Sequence, residues 1–210
     1  MRPARVAGGV VKLGSAIGDI CCACAPGPAA NSAAQANMMV RLTLLIEAVY
    51  LFPLKPNLHY IATMAQITSN PLAWRTTKAP SLAEFEVMAG EVFARLPERF
   101  RDLAADVVIR VDDFPTNDVL NEIGAETEFD LLGLFHGVGL PFRSESAPVQ
   151  MPNMIWLYRR PILDYWAEHD ETLGAIIKYV LVHEIGHHFG LSDADMAAIE
   201  QTAEQSKGAL

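Results

Sequence analysis

The five residues His183-Glu184-Ile185-Gly186-His187 constrain this chain more than any other stretch. They fall in a segment from Glu171 to Phe189 that reads as one helix, with Asp170 as its N-cap. Histidines four residues apart are separated by about 40° around a helix axis, so their imidazoles converge on one point. That point suits a metal ion, and the H-E-x-x-H spacing adds a glutamate with a distinct position. Glu184 is rotated about 100° from His183 and stands beside the ion, where it can take a proton from bound water.

Residues after the second histidine extend the pattern to H-E-x-x-H-x-x-G-x-x-D, through Gly190 to Asp193. A glycine here can adopt the left-handed conformation that ends a helix and swings the chain back. Asp193 can then bring a carboxylate oxygen to the same ion as a third ligand, with Asp195 as a close competitor. Two histidines, one aspartate and a water make an open, catalytic type of zinc site; a closed structural site would more often use cysteines. The chain has no cysteine after Cys24. His183 and His187 share a side of the helix with Ile176 and Val180, a stripe expected to face a sheet. Ala175, Val182, Ile185 and Phe189 cover the opposite side, so the helix is expected to lie between layers.

Upstream, Ser81-Leu82-Ala83-Glu84 is a capping box and predicts a helix with Phe85, Met88, Ala89, Val92, Phe93 and Leu96 on its buried face. Pro97 ends it, and Pro97 to Leu103 adds a short second helix. Val107 to Val111 reads as a strand, followed by a loop with several acids. Leu131 to Gly137 and Met154 to Arg159 read as two more strands, separated by a Gly/Pro/Ser-rich loop. A last helix is expected from Asp193 to about Gln205. His136, His169 and His188 are expected to pack or cap rather than bind metal, although His136 could stabilise an oxyanion if its strand borders the site.

The first 63 residues are of another kind. Ala/Gly/Pro-rich stretches there lack a sustained period, and Met38 to Phe52 is one apolar patch too short and too interrupted to span a bilayer. With five basic and two acidic residues this part carries +3, leaving −12 for the remainder of a chain whose formal net charge is −9. Residues 1–63 are therefore expected to be a poorly ordered or dispensable extension and 64–210 the functional domain. No basic run is present to meet a phosphate backbone, so nucleic acid is not the expected partner, and a membrane is not expected either. Cys21, Cys22 and Cys24 are clustered too tightly to staple a fold, which suits a reducing cytoplasm.

From about Trp74 to Glu200 the chain resembles the minimal zincin family, small bacterial proteins classed as zinc metallopeptidases. The resemblance rests on Ala79 to Glu86, Leu96-Pro97-Glu98, Leu131 to Gly137, Tyr158 to Leu163 and His183 to Met196. It implies an α+β fold in which a short mixed β-sheet packs against the active-site helix and flanking helices. It also implies that His183, His187 and Asp193 bind Zn2+, with Glu184 as the general base of peptide-bond hydrolysis. Residues 1–63 have no counterpart in the resemblance. The expected substrate is a peptide or protein lying extended along a strand edge. The alternative expectation is a zinc-binding structural or interaction module with little turnover, since so small a domain leaves little material for a deep pocket. Neither Met196 nor Glu200 fits the place that a metzincin's Met-turn or a gluzincin's third ligand would require.

Overall fold

The computed structural model describes residues 7–12, 43, 44, 46, 49, 75–143 and 152–208. Helix α1 (Leu82–Ala94) starts as its capping box dictates: the Ser81 amide donates to Glu84 Oε2 at 2.7 Å, and the Glu84 amide donates to Ser81 Oγ at 3.3 Å. The Ser81 hydroxyl, donating to Glu84 Oε2 at 2.6 Å, and then the Ser81 amide hold the Glu84 carboxyl below its ordinary range. The cap's contribution is therefore full above the ordinary glutamate range and is lost as pH falls through the lowered value. The short helix α2 (Glu98–Leu103) and strand β2 (Val108–Asp112) come next, as expected.

Beyond β2 the structure departs from the expected acidic loop. Helix α3 (Asn117–Ile123) stands there, with the Thr116 hydroxyl accepting from the Val119 amide at 3.4 Å and Gly124 closing it at φ 68°. Strands β3 (Leu131–Gly137) and β4 (Met154–Tyr158) lie where expected, but α4 (Arg159–Glu168) continues directly from β4, where no helix is expected. The metal-motif helix α5 (Leu173–His188) is capped by Thr172 and not by Asp170, its hydroxyl accepting from the Ala175 amide at 3.3 Å. Helix α6 (Asp193–Gly208) completes the described chain. Among the described residues no helix is long and apolar enough to cross a membrane.

A fourth strand, β1 (Ala7–Lys12), joins the sheet at the β3 edge, giving the order β1-β3-β4-β2. The β1/β3 and β3/β4 pairs are antiparallel and β2/β4 is parallel, so the sheet is mixed and the fold α+β. One face buries Ile155 and Leu157 of β4 with Val111 of β2 against α1 and α5; Leu131, Leu134 and Tyr158 form a smaller cluster with Val119 and Ile123 of α3 on the other. In the β1/β3 register Val10 pairs with Leu134 and Lys12 with Leu131, so Leu132 and Gly133 together face the single Val11. This bulge turns two consecutive residues towards α5, which a regular strand cannot do.

Most of residues 1–63, including Cys21, Cys22, Cys24 and the stretch Ala23 to Ala34, lies outside the described residues, as does Met64. Besides β1, the described part comprises Thr43, Leu44, Ile46 and Val49, all helical, with Ile46 and Val49 at 0% exposure within the main core. A chain starting at Met64 is expected to melt at least about 5 °C lower than the full chain: each such side chain is worth roughly 1.5–3 kcal/mol, and 1 kcal/mol shifts Tm by roughly 2–4 °C at this chain length. An unchanged Tm would instead support dispensability.

Candidate metal centre

Helix α5 is buried along nearly its whole length, as its all-round apolar pattern requires. Its polar side chains are therefore held in a setting that screens charge poorly. His183, Glu184 and His187 are 2%, 0% and 5% exposed. The chain then reverses within one turn. Gly190 sits at φ 85°, its amide donates to the His187 carbonyl at 2.9 Å, and the Leu191 amide donates to the Gly186 carbonyl at 3.0 Å. This paired capping pattern is the one a left-handed glycine permits. A Cβ at Gly190 would also lie 2.8 Å from Pro141 Cγ, so both conformation and space exclude a side chain.

The reversal places Asp193, the first residue of α6, over the two imidazoles. Asp193 Oδ1 is 3.3 Å from His187 Nε2 and 3.7 Å from His183 Nε2. The ligand atoms of His183, His187 and Asp193 all lie within 4.8 Å of one another, the one such grouping among the described residues. Asp195 is turned elsewhere: its Oδ2 accepts from the Ser192 amide at 2.8 Å and from Ser192 Oγ at 2.6 Å, capping α6. The competition between the two aspartates is thus decided by geometry in favour of Asp193 as the neighbour of the histidines.

Each histidine presents the same nitrogen to this point. His187 Nδ1 lies 2.9 Å from the Leu191 carbonyl, and His183 Nδ1 lies 3.4 Å from Glu200 Oε1, leaving both Nε2 atoms towards Asp193. His183 Nε2 is buried and makes no hydrogen bond. An inward-facing imidazole nitrogen of this kind, beside a second imidazole and a carboxylate, is a donor set that fits Zn2+. Burial alone would lower the His183 pKa, but Asp193 and Glu200 outweigh it and hold the imidazole above its usual range. A negative field of this kind would also attract a metal cation, which competes with the proton for the imidazole nitrogen.

The helix face that meets the sheet belongs to Val180 and Glu184, whereas the imidazoles turn towards α6; the expected stripe is split between two neighbours. The bulge in β3 explains the fit. A Cβ at Gly133 would lie 2.6 Å from Val180 Cγ1 and 3.0 Å from Glu184 Oε1. Gly133→Ala is therefore expected to overpack this contact and destabilise the domain by about 1–3 kcal/mol, measurable by urea unfolding. An unaffected midpoint would mean that the strand and helix do not approach so closely.

His188 and His169 do structural work. His188 lies 2.8 Å from Asn153 Nδ2 and 3.1 Å from the Leu103 carbonyl, and burial pushes its pKa down. His169 stacks on Tyr165 with ring centroids 3.8 Å apart. His136 alternates with Phe135, which lies near His188 on the α5 side, and so stands on the opposite sheet face, exposed. An oxyanion role for His136 has no support in this placement.

Sequence reasoning missed Glu200 as a neighbour of the site. A signal was present: Asp193, Met196 and Glu200 recur at i, i+3 and i+7, the spacing of one helix face. Met196 fills the space left by Gly186, where a Cβ would lie 2.4 Å from its sulfur.

A mixed sheet backing a buried H-E-x-x-H helix is the arrangement of a small zincin-like domain. A family described as zincin-like metallopeptidase matches residues 104–203, from the end of α2 into α6, and bears out the zincin resemblance. The match includes His183, Glu184, His187, Asp193 and Glu200, whereas Ala79 to Glu86 and Leu96 to Glu98 fall outside it. No curated protein matches the chain.

Proposed function

We propose that this chain is a zinc-dependent metallopeptidase that hydrolyses peptide bonds, with its site in residues 64–210. The observation that carries this reading is the convergence of His183 Nε2, His187 Nε2 and Asp193 Oδ1, with the Glu184 carboxylate one residue along the same helix. His183, His187 and Asp193 would hold the metal. A bound Zn2+ polarises a carbonyl and makes water more acidic near neutral pH. Glu184 takes a proton onto its carboxylate from the attacking water and returns it to the departing amine nitrogen, so the side chain ends as it began. Its burial keeps bulk water from competing for that proton.

Peptide or protein is the substrate class, without nucleic acid or membrane as partner, in keeping with the net charge of −9. A cytoplasmic location belongs to the same proposal, supported by the lack of cysteine beyond Cys24. One observation favours the second reading, a zinc-binding module with little turnover: of the four site residues only Asp193, with 22% of its side chain exposed, opens appreciably to solvent. Metal analysis of the purified full chain, followed by incubation with a peptide library, separates the two. Stoichiometric zinc with chelator-sensitive cleavage supports the peptidase; zinc without cleavage supports the module; no zinc removes both.

A further inference from the structure

We propose that Glu200, braced by Tyr179, is a positioning residue that fixes the tautomer of His183. The inference rests on the metal-centre reading above and adds to it a residue outside the ligand set. Glu184 and Glu200 are the two buried carboxylates among the described residues, and Glu184 already has a role in that reading. A buried carboxylate must be matched by donors to be tolerated. Glu200 meets them on two sides: the Tyr179 hydroxyl donates to Oε2 at 2.6 Å, and His183 Nδ1 stands 3.4 Å from Oε1.

The direction of the second contact is set by proton counting. The Tyr179 hydroxyl directs its one proton to Oε2, so the carboxylate accepts there and, in the proposed arrangement, accepts from His183 as well. The proton between Glu200 and His183 therefore resides on Nδ1. In a neutral imidazole this leaves Nε2 with its lone pair, and Nε2 is the nitrogen turned to Asp193. The two ring nitrogens point in diverging directions, so Glu200 stands behind the ring as seen from Asp193 and is not a fourth donor to the same point.

Tyr179 is one turn before His183 on α5, and Glu200 is two turns after Asp193 on α6. The same pair of helices thus supplies both the donors and the brace. His187 obtains its orientation from the Leu191 carbonyl, a neutral acceptor. His183 has a carboxylate behind it, which raises the basicity of Nε2 and locks the ring plane.

The test uses the full chain and Zn2+ alone, with affinity measured against a chromophoric chelator and histidine ring nitrogens observed by 15N NMR. Glu200→Ala is expected to bind Zn2+ about 10 to 100-fold more weakly than wild type, the range for loss of such a partner. Glu200→Gln, whose side-chain carbonyl can still accept, is expected to recover part of that loss. Tyr179→Phe is expected to lose less than Glu200→Ala. In the zinc-free wild type the neutral His183 imidazole is expected to carry its proton on Nδ1, and in Glu200→Ala to populate both tautomers.

Wild-type affinity in both Glu200 variants, or a neutral wild-type imidazole that carries its proton on Nε2, would overturn the inference while leaving the metal centre intact. A wild-type chain that takes up no Zn2+ would overturn the metal centre and this inference together. A merely structural Glu200 would lower the unfolding midpoint of the zinc-free protein and leave affinity and tautomer unchanged, which again refutes positioning. Should Glu200→Ala fail to fold, the near-isosteric Gln variant and the wild-type tautomer still decide the matter.

Discussion

Glu184→Gln is expected to retain zinc near one ion per chain while any peptide hydrolysis falls by about 10² to 10⁴-fold, the usual contribution of a general base. The substitution keeps the size of the side chain that lies against Gly133, so the bulge of β3 and its contact with α5 stay in place. What changes is proton chemistry: an amide cannot accept and return a proton at neutral pH. Metal content by atomic absorption and cleavage of a fluorogenic peptide mixture read the two quantities separately. Unchanged cleavage would remove Glu184 from the mechanism, and loss of zinc would make it a ligand.

The second large effect is expected at Asp193. Asp193→Ala removes the oxygen that faces both Nε2 atoms and should weaken Zn2+ binding by more than the roughly 10 to 100-fold typical for loss of an outer hydrogen-bonding partner. The fold should persist, because Asp193 lies in the first turn of α6 and its exposed part does not build the core. Asp195→Ala is the matched control. It breaks the cap formed with Ser192, with a loss of stability on the order of 1 kcal/mol, yet should leave zinc affinity alone. A reversed result, with zinc lost in Asp195→Ala and kept in Asp193→Ala, would overturn the assignment.

The parts of this domain that can be read from sequence are those whose cause is local. The capping box at Ser81, the apolar run at Leu131 and the left-handed turn at Gly190 each depend on a few adjacent residues, and each stands where local chemistry puts it. Helix α4 eludes the same reasoning because it continues from β4 at Tyr158 with no side-chain cap to announce it. Helix α3 does announce itself, with Thr116 at one end and Gly124 at the other, but its short acidic body masks both signals. Strand β1 is rich in glycine and has no alternation; its place is set by pairing with β3, far along the chain. The site divides in the same manner. His183, Glu184, His187 and Asp193 are legible from spacing, whereas Gly133, on a bulge that only strand pairing creates, is not.

The turn at Gly190 has a consequence for how the centre would fail. Every side chain proposed to hold or brace the ion comes from two consecutive helices joined by that turn, between Tyr179 and Glu200. The wall behind Glu184 instead comes from β3, a distant part of the sequence. On the proposed function, the residues that would hold the ion are close in sequence, whereas the proposed base leans on a distant strand. A side chain at position 190 would scatter the proposed donors while the sheet remained whole.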